Sequence, residues 1–468
     1  MSPVPRLREA SRPAWAPEVI GPSYRRGGEP GVLHLGLGAF ARAHQALVFE
    51  RLLSAGDGRW GVHGVGMTRP DLVECLKEQD GLYAVRVADA QGLSWQICGA
   101  LWRLSVAASQ RQQVVQAMAK PALRWITLTV TEKGYGPELG QLLAEGLRLR
   151  HSGGAAGLTL ASCDNLRGNG QVLQALVLNA CPDERLRHWI SQQCAFPCSM
   201  VDRIVPAMSA PLREQAERAL GVSDQAALGT EAFWEWVIEN RFADPSDAAA
   251  LQSAGVQVTD QVHVYEDAKL RMLNGSHSAM ALIGAVTGRA CISDCIEQPH
   301  IRDFIGRLIE REVAPHLARS DWPDYRDALL RRFANPHLRH SVHQIATDSS
   351  LKIVQRWPPS ILGQLQRGGS IEHHALAAAA WLRYALGQDE GGRPYAIADP
   401  NEALLRALAA HQRQTPQASV QALLARQELW GPLLPQQSHW IARVAHWHGR
   451  IVEGGMDGAI RELLQEIA

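Results

Sequence analysis

The feature that most constrains the fold is a short buried run followed by two glycines and a helical segment. Val32–Leu35 predicts a buried strand, Ala46–Leu53 predicts a helix, and between them stands Gly36-Leu37-Gly38-Ala39-Phe40. This order is typical of the first turn of a dinucleotide-binding fold, in which the glycines let the backbone approach a pyrophosphate at the start of a helix. A simple strand-to-helix turn is the alternative interpretation.

The sequence leaves the choice of dinucleotide open. An acidic residue at the end of the second strand would bind the ribose hydroxyls of NAD, but Thr68-Arg69-Pro70-Asp71 follows the predicted strand Trp60–Met67. The ribose is then held by other residues, or Arg69 meets the 2′-phosphate of NADP, or Asp71 folds back toward the ribose. An exposed loop cation is the ordinary interpretation of Arg69.

Polar residues stand directly after three further predicted strands. They are Thr131 and Glu132, Asn165, and Asp202. The carboxyl ends of buried parallel strands face the ligand crevice of such folds, so all four are candidate ligand residues. Turn formation and helix capping explain asparagine and aspartate at these positions equally well.

One predicted helix carries a lysine, an asparagine and a histidine. Lys269, Asn274 and His277 are spaced by five and three residues. In an α-helix, at about 100° per residue, Asn274 and His277 lie about 60° apart, and Lys269 lies within about 140° of both. All three can then line one cleft while the apolar residues of the helix pack against a core. A surface lysine and a core histidine on an amphipathic helix are the alternative.

The length of the chain predicts two domains. A chain of 468 residues is too long for one ordinary core. We expect residues 1–265 to form an α/β Rossmann-type dinucleotide-binding domain and residues 266–468 to form a mostly α-helical C-terminal domain. Basic and acidic residues number 47 each, so no net charge attracts nucleic acid or an anionic membrane, and we expect neither as a partner.

The sequence also bears on location and metal binding. It shows neither a signal-peptide pattern nor an apolar run of about 18 residues that could span a membrane, so we expect a cytoplasmic protein. The eight cysteines lack zinc-binding spacing, and we expect reduced thiols and no metal. The oligomeric state stays open, a monomer included.

Several stretches together carry a resemblance to a known family. They are Gly36–Phe40 with Arg42 and His44, Thr131–Tyr135, Ser162–Asn165 with Asn169 and Gly170, Phe196–Ile204, and Lys269–His277. In this order and at these spacings they resemble the polyol-specific long-chain dehydrogenases, the mannitol dehydrogenase family, from about residue 31 almost to the end. The resemblance implies an NAD-dependent oxidoreductase without zinc, acting on a small sugar acid or polyol.

Two of these stretches look closer to the fructuronate reductase branch of the family. They are Thr131–Tyr135, with its central lysine, and Cys198–Met200. We therefore expect interconversion of D-fructuronate and D-mannonate. Oxidation of mannitol or arabinitol is the alternative within the family. A dinucleotide-binding sensor without turnover is the alternative from another class, and the intact lysine, asparagines and histidine argue against it.

The resemblance also implies catalytic roles. Lys269 would be the general acid/base, and in oxidation its uncharged amine must take the hydroxyl proton, which requires a pKa lowered by burial or nearby cations. Asn165 and Asn274 would donate to the alkoxide-like oxygen. His277 would orient the substrate hydroxyl, and Glu266 would pass protons to solvent.

The remaining expected contacts concern cofactor and substrate. Cofactor contacts are expected from Gly36, Leu37, Gly38, Ala39, Phe40, Thr131, Glu132 and Asn165. Substrate contacts are expected from Asp202, Lys269, His277, Arg339, His340, Lys352 and Arg356. The last four gather positive charge in two loops of a neutral protein, so we expect a carboxylate on the substrate. Solvated loop cations are the alternative.

Overall fold

The computed structural model describes residues 4–89, 91–206, 209–410 and 416–466. The chain divides into two compact units, Met1–His263 and Val264–Ala468. The domain boundary after residue 265 stays a prediction from the sequence.

The first unit alternates strands and helices. Its strands are β1 (Val32–Leu35), β2 (Val62–Gly66), β3 (Tyr83–Asp89), β4 (Gly92–Cys98), β5 (Leu101–Val106), β6 (Trp125–Leu128), β7 (Thr159–Ser162), β8 (Ser199–Asp202), β9 (Leu228–Glu231), β10 (Glu235–Glu239) and β11 (Gln257–Thr259). Its helices are α1 (Ala39–Ala43), α2 (Gln45–Ser54), α3 (Asp71–Glu78), α4 (Ala107–Met118), α5 (Pro137–Ser152), α6 (Asn169–Asn179), α7 (Glu184–Gln193), α8 (Ala210–Leu220) and α9 (Asp247–Ser253). The predicted α/β class of this part is confirmed.

The principal sheet places β1 at its centre. Among the described residues, five strands form a parallel sheet in the order β5-β2-β1-β6-β7. Val32 of β1 pairs with Val62 on one side and with Trp125 on the other. The chain builds the sheet outward from β1 in one direction and then, from β6, in the other. Ligands of open α/β sheets bind at the carboxyl ends of the strands where the order reverses in this way.

Two cores cover the two faces of this sheet. Val32 belongs to the core that includes α2, whereas Leu33 and Leu35 belong to the core that includes α5 and α6. All residues of β1 are buried, as expected for a parallel sheet with helices on both faces. Two smaller sheets have the orders β4-β3-β9 and β11-β10-β8.

The second unit is mostly helical, as predicted. Its helices are α10 (Val262–Ala268, which spans the boundary), α11 (Gly275–Val286), α12 (Ile292–Ile296), α13 (Pro299–Arg307), α14 (Trp322–Phe333), α15 (Val342–Ala346), α16 (Ser349–Arg356), α17 (Pro358–Arg367), α18 (Glu372–Tyr384), α19 (Glu402–Ala410), α20 (Pro416–Leu424), α21 (Gln427–Trp430) and α22 (Ser438–Glu466). None of the helices in the described ranges is long and apolar enough to cross a membrane.

Helices α11 and α18 form the centre of the second unit. Every residue of α11 is buried, and α18 packs against both α11 and α22. A helix buried on all sides lies inside a core. A π-helix, Lys269–Asn274, joins α10 to α11, and a second π-helix spans Leu308–Val313. The residues that precede α11 therefore lead directly into the buried core of this unit.

Candidate active site

The turn after β1 contains two glycines with different roles. Gly36 has a φ of 92°, and a Cβ atom there would lie 2.3 Å from the carbonyl oxygen of Thr129, so only glycine fits. Gly38 has a φ of −117°, and a Cβ atom there would meet nothing closer than the Gly36 carbonyl oxygen at 3.7 Å. The fold requires Gly36, whereas Gly38 leaves open space beside the backbone at the start of α1. A phosphate group could approach there.

A buried histidine supports this turn from within the sheet. His34 Nδ1 lies 2.8 Å from Thr127 Oγ1, and its Nε2 lies 2.9 Å from Thr129 Oγ1. The Thr129 hydroxyl donates to the Gly36 carbonyl at 2.9 Å, so we assign the imidazole proton to Nε2. Burial lowers the pKa of His34 to about 4, and the ring is neutral at neutral pH. Sequence reasoning missed this role, because His34 stands inside an apolar run.

The predicted cofactor residues gather at one edge of the sheet. Thr131 and Glu132 follow β6, and Asn165 follows β7; all three side chains are exposed. Because β1, β6 and β7 are adjacent and parallel, their carboxyl ends lie side by side. The structure therefore places these residues at the same edge as the Gly36–Phe40 turn.

Asp202 has a different position. It ends β8, which belongs to the small sheet and pairs antiparallel with β10. Its side chain is buried, and the next residue, Arg203, donates from Nε to the Glu231 carbonyl at 3.1 Å. Asp202 therefore belongs to a different sheet from Thr131 and Asn165, although β8 begins beside the carboxyl end of β7, where Ser199 Oγ donates to the Ser162 carbonyl at 2.6 Å.

In the second unit, Lys269 and Asn274 open and close the first π-helix. The Gly275 N–H donates to the Leu270 carbonyl, five residues earlier. The α-helical geometry predicted for this stretch, with Lys269 and Asn274 about 140° apart, was wrong, because residues five apart are about one turn apart in a π-helix. Lys269 and Asn274 consequently share a face. Single π-turns are frequent at functional sites.

His277 follows Asn274 by three residues in α11. It is 7% exposed, and its ring contacts those of His340 and Phe333, each with a centroid separation of 5.1 Å. Within the described part of the chain, the buried Nε2 of His277 has no hydrogen-bond partner. Buried polar atoms are seldom left without a partner in native proteins. A substrate hydroxyl could satisfy this nitrogen.

Positive charge surrounds His277. Burial lowers its pKa well below the ordinary 6.5, and His340, Arg356, Arg332 and Lys352 lower it further. The imidazole is therefore neutral at neutral pH, with one nitrogen able to donate and the other able to accept. Arg332, a buried residue of α14, was not predicted from the sequence, because nothing in an ordinary amphipathic helix distinguishes it.

The predicted substrate cations differ in their surroundings. Arg356 Nη1 donates to the Asn274 carbonyl at 3.0 Å and to Ser278 Oγ at 2.6 Å. Lys352 is half-buried, and its Nζ donates to the Ile345 carbonyl at 3.1 Å. Arg356 and Lys352 both reach the surroundings of His277.

Arg339 and His340 are neighbours in sequence but not in environment. Arg339 is exposed, and its charge lowers the pKa of the Cys291 thiol, which burial raises. His340 contacts His277, and burial together with the charge of Lys352 lowers the pKa of His340 to about 4. Of this pair, only His340 lies against His277.

Glu266 completes the predicted set. It lies in α10, three residues before Lys269, and both side chains are half-buried. In the ranges that the structure describes, no three His, Cys, Asp or Glu side chains are placed to hold a metal ion. The chemically active groups of this unit are an amine, a carboxylate, an amide and an imidazole. Such groups can move a proton and stabilise an alkoxide-like oxygen.

Comparison with known proteins gives matches over both units. The model of the mannitol dehydrogenase Rossmann domain matches residues 30–248, and that of the mannitol dehydrogenase C-terminal domain matches residues 261–452. D-mannonate oxidoreductase of Escherichia coli K12 is 35% identical over 479 aligned residues, which cover 95% of this chain and 96% of that protein.

Two solved structures are similar along nearly their whole length. The mannitol 2-dehydrogenase of Pseudomonas fluorescens, in a ternary complex with NAD and D-mannitol, superposes with a TM-score of 0.88 at 29% identity and covers 98% of this chain and 99% of that chain. A substrate-free D-sorbitol dehydrogenase superposes with a TM-score of 0.84 at 28% identity, covering 97% of this chain and 100% of that one.

Proposed function

The chain belongs to the mannitol dehydrogenase family, and we propose that it is an NAD-dependent oxidoreductase that interconverts D-mannonate and D-fructuronate. Membership of the family supports hydride transfer at a CH–OH group. The observation that favours a sugar acid over a plain polyol as the substrate is the set of cations around His277. The 35% identity with D-mannonate oxidoreductase points the same way.

The proposed cofactor site is the carboxyl edge of the principal sheet. Gly38 leaves room there for a pyrophosphate, and Thr131, Glu132 and Asn165 stand on the neighbouring turns. When bound, NAD supplies the hydride acceptor. The NAD complex of the Pseudomonas fluorescens relative favours NAD, whereas Arg69, exposed just after β2, would favour NADP if it met a 2′-phosphate.

Lys269 is the proposed general acid/base. In oxidation its uncharged amine takes the hydroxyl proton while a hydride leaves the same carbon, and in reduction it returns the proton to the carbonyl oxygen. Glu266, about one helical turn earlier, would pass the proton to solvent. The half-buried position of both side chains fits this task.

Amide groups are proposed to stabilise the reacting oxygen. Asn274 shares a face of the π-helix with Lys269, so its side chain can donate to the oxygen that Lys269 protonates. The resemblance adds Asn165 as a second donor and Asp202 as a substrate contact. His277, neutral because of its lowered pKa, would orient the same hydroxyl.

The substrate carboxylate is proposed to lie near Lys352 and His340. Arg332, Lys352 and Arg356 form charge-assisted hydrogen bonds readily with a carboxylate, whereas a plain polyol has no charge to offer. Arg339, exposed beside Cys291, is the least suited of the predicted cations. This arrangement would separate fructuronate from fructose.

The decisive experiment is a substrate panel. The purified protein would be incubated with fructuronate, tagaturonate or fructose and with NADH or NADPH, while absorbance of the reduced cofactor is followed. We expect kcat/KM for fructuronate to exceed that for fructose by about 10²–10⁴. Lys352→Met should reduce this ratio, and Arg339→Gln is the matched control that should preserve it.

A polyol dehydrogenase acting on mannitol or arabinitol is the second candidate. The mannitol complex of a relative that matches almost the whole chain favours it. Equal kcat/KM values for fructose and fructuronate would establish this candidate over the first. If the protein binds NADH but turns over no combination of substrate and cofactor, the result would instead indicate a dinucleotide-binding sensor.

A further inference from the structure

Thr131 has a backbone conformation that is almost restricted to glycine. Its φ is 64° and its ψ is 165°, a region that residues with a Cβ atom avoid. Thr131 stands between β6 and the 3₁₀ helix Glu132–Gly134. A threonine stays in such a conformation only when surrounding groups fix it.

The carboxylate of Asp164 fixes both ends of this turn. Its Oδ1 accepts the Thr131 N–H at 2.7 Å, and its Oδ2 accepts the Val130 N–H at 3.1 Å. Oδ2 also accepts the hydroxyl of Tyr135 at 2.9 Å. One buried carboxylate, 7% exposed, therefore binds the entry and the exit of residues 131–135.

Asp164 is itself anchored. Nδ2 of Asn169 donates to the Asp164 carbonyl at 3.0 Å and to the Ser199 carbonyl at 2.7 Å. The Asn169 Oδ1 accepts the Ser199 N–H at 2.9 Å, and Asn169 is fully buried. A fully satisfied buried network of this kind is rigid. The same contacts fix the backbone of Asp164, the residue that directly precedes Asn165.

We propose that Asp164 is a positioning residue, which holds Thr131 in its glycine-like conformation and so keeps residues 131–132 where the cofactor binds. The inference rests on the proposed function, because it places a dinucleotide at this edge of the sheet. Without the carboxylate, Thr131 would relax to an ordinary conformation and the turn would spend only part of its time in the competent form. Apparent affinity falls in proportion to that fraction.

A double-mutant cycle between positions 164 and 131 tests this inference. Asp164→Asn preserves volume but places an NH₂ group against one of the backbone N–H groups. In the Thr131 background, NADH binding, measured by fluorescence titration, should weaken about 5–150-fold, corresponding to the usual cost of such a conformation. In the Thr131→Gly background the same substitution should weaken binding by less than about threefold, because glycine adopts a positive φ without strain.

The controls separate positioning from general damage. Asp183→Asn removes an exposed aspartate that also accepts a backbone N–H, that of Arg185, and should leave NADH binding unchanged. The KM for NADH should rise in Asp164→Asn more than kcat falls, which mere loss of stability would not produce. If Asp164→Asn fails to fold, Tyr135→Phe removes the hydroxyl contacts with Asp164 and Ser162 and should weaken NADH binding in the Thr131 background but not in the Thr131→Gly background.

The outcomes distinguish the inference from the function on which it rests. If the wild type binds NADH and Asp164→Asn weakens NADH binding equally in both backgrounds, the positioning role alone would be overturned. A wild type that binds neither NADH nor NADPH would overturn the proposed function and the positioning role with it. Urea unfolding of the same four proteins would show whether the coupling between Asp164 and Thr131 exists without cofactor.

Discussion

Arg356 donates through Nη1 to the carbonyl oxygen of Asn274 at 3.0 Å. The next residue, Trp357, donates through Nε1 to the Gly275 carbonyl, also at 3.0 Å. Two consecutive side chains therefore satisfy backbone carbonyls at the end of the π-helix. A cation that the sequence suggested only as a substrate contact also fixes the segment that carries Lys269 and Asn274.

Replacing Arg356 should impair catalysis through this contact. We expect Arg356→Gln to lower kcat/KM about 10–100-fold, since hydrogen bonds from charged groups contribute about 1.5–3 kcal/mol. Arg356→Lys should recover part of the loss, because it keeps the charge but not the planar guanidinium. Steady-state kinetics would measure both, and Arg367→Gln, an exposed residue at the end of α17, is the control. Unchanged kinetics in Arg356→Gln would show that Arg356 does not hold the segment that carries Lys269 and Asn274.

Replacing Lys269 should abolish most turnover. Lys269→Ala should lower kcat about 10²–10⁴-fold, the usual contribution of general acid/base catalysis. Affinity for NADH should change little, because the lysine acts on the substrate. Lys120→Ala, at an exposed position after α4, provides the control. Turnover above about a tenth of wild type would exclude the acid/base role.

The state of His277 can be followed directly. Because burial and the neighbouring cations lower its pKa, its imidazole should stay neutral as pH falls through about 6.5, where a free histidine titrates. An NMR titration of labelled histidines would show this. Removing one cation, as in Lys352→Met, should raise the pKa of His277 toward the ordinary value without reaching it, since burial is the largest cause. A normal titration of His277 in the wild type would contradict the cationic cluster.

His34 should make stability depend on pH. Its folded-state pKa of about 4 lies below the unfolded value of 6.5, so only the unfolded chain gains a proton as pH falls from 6.5 toward 4. The free energy of unfolding should therefore fall by about 2 kcal/mol between about pH 7 and about pH 5 from this group. Urea unfolding of His34→Gln should lack that part of the decrease. The control variant His151→Gln, at an exposed histidine, should retain the full decrease in the free energy of unfolding.

Much of the fold and of the candidate site followed from the sequence. The strand, glycine turn and helix that begin at Val32 predicted the dinucleotide-binding fold, because steric demands at Gly36 leave little choice of residue. The confirmed family also followed from ordered motifs that are weak one by one. The placement of Thr131 and Asn165 at neighbouring strand ends agrees with the topology, while their roles stay predictions.

The remainder depended on long-range contacts. The backbone conformation of Thr131 opposes the ordinary preference of threonine, and the carboxylate that accepts its N–H belongs to Asp164, which is 33 residues away in the sequence. Arg332 reaches the surroundings of His277 from a distant helix, so no local pattern reveals it. The spacing of apolar residues does not distinguish the π-helix at Lys269–Asn274 from an α-helix. The separation of the lysine and the asparagine by five residues was nevertheless a usable signal.

The π-helix also bears on how this site could have arisen. A π-turn amounts to one extra residue in an α-helix, and residues four apart share a face of an α-helix, as residues five apart do in a π-helix. Deleting one residue between Lys269 and Asn274 could therefore be absorbed by a change from π to α geometry, and the amide would stay on the face of the amine. An ancestor with a regular α-helix and one residue fewer here would already have carried both groups on one face.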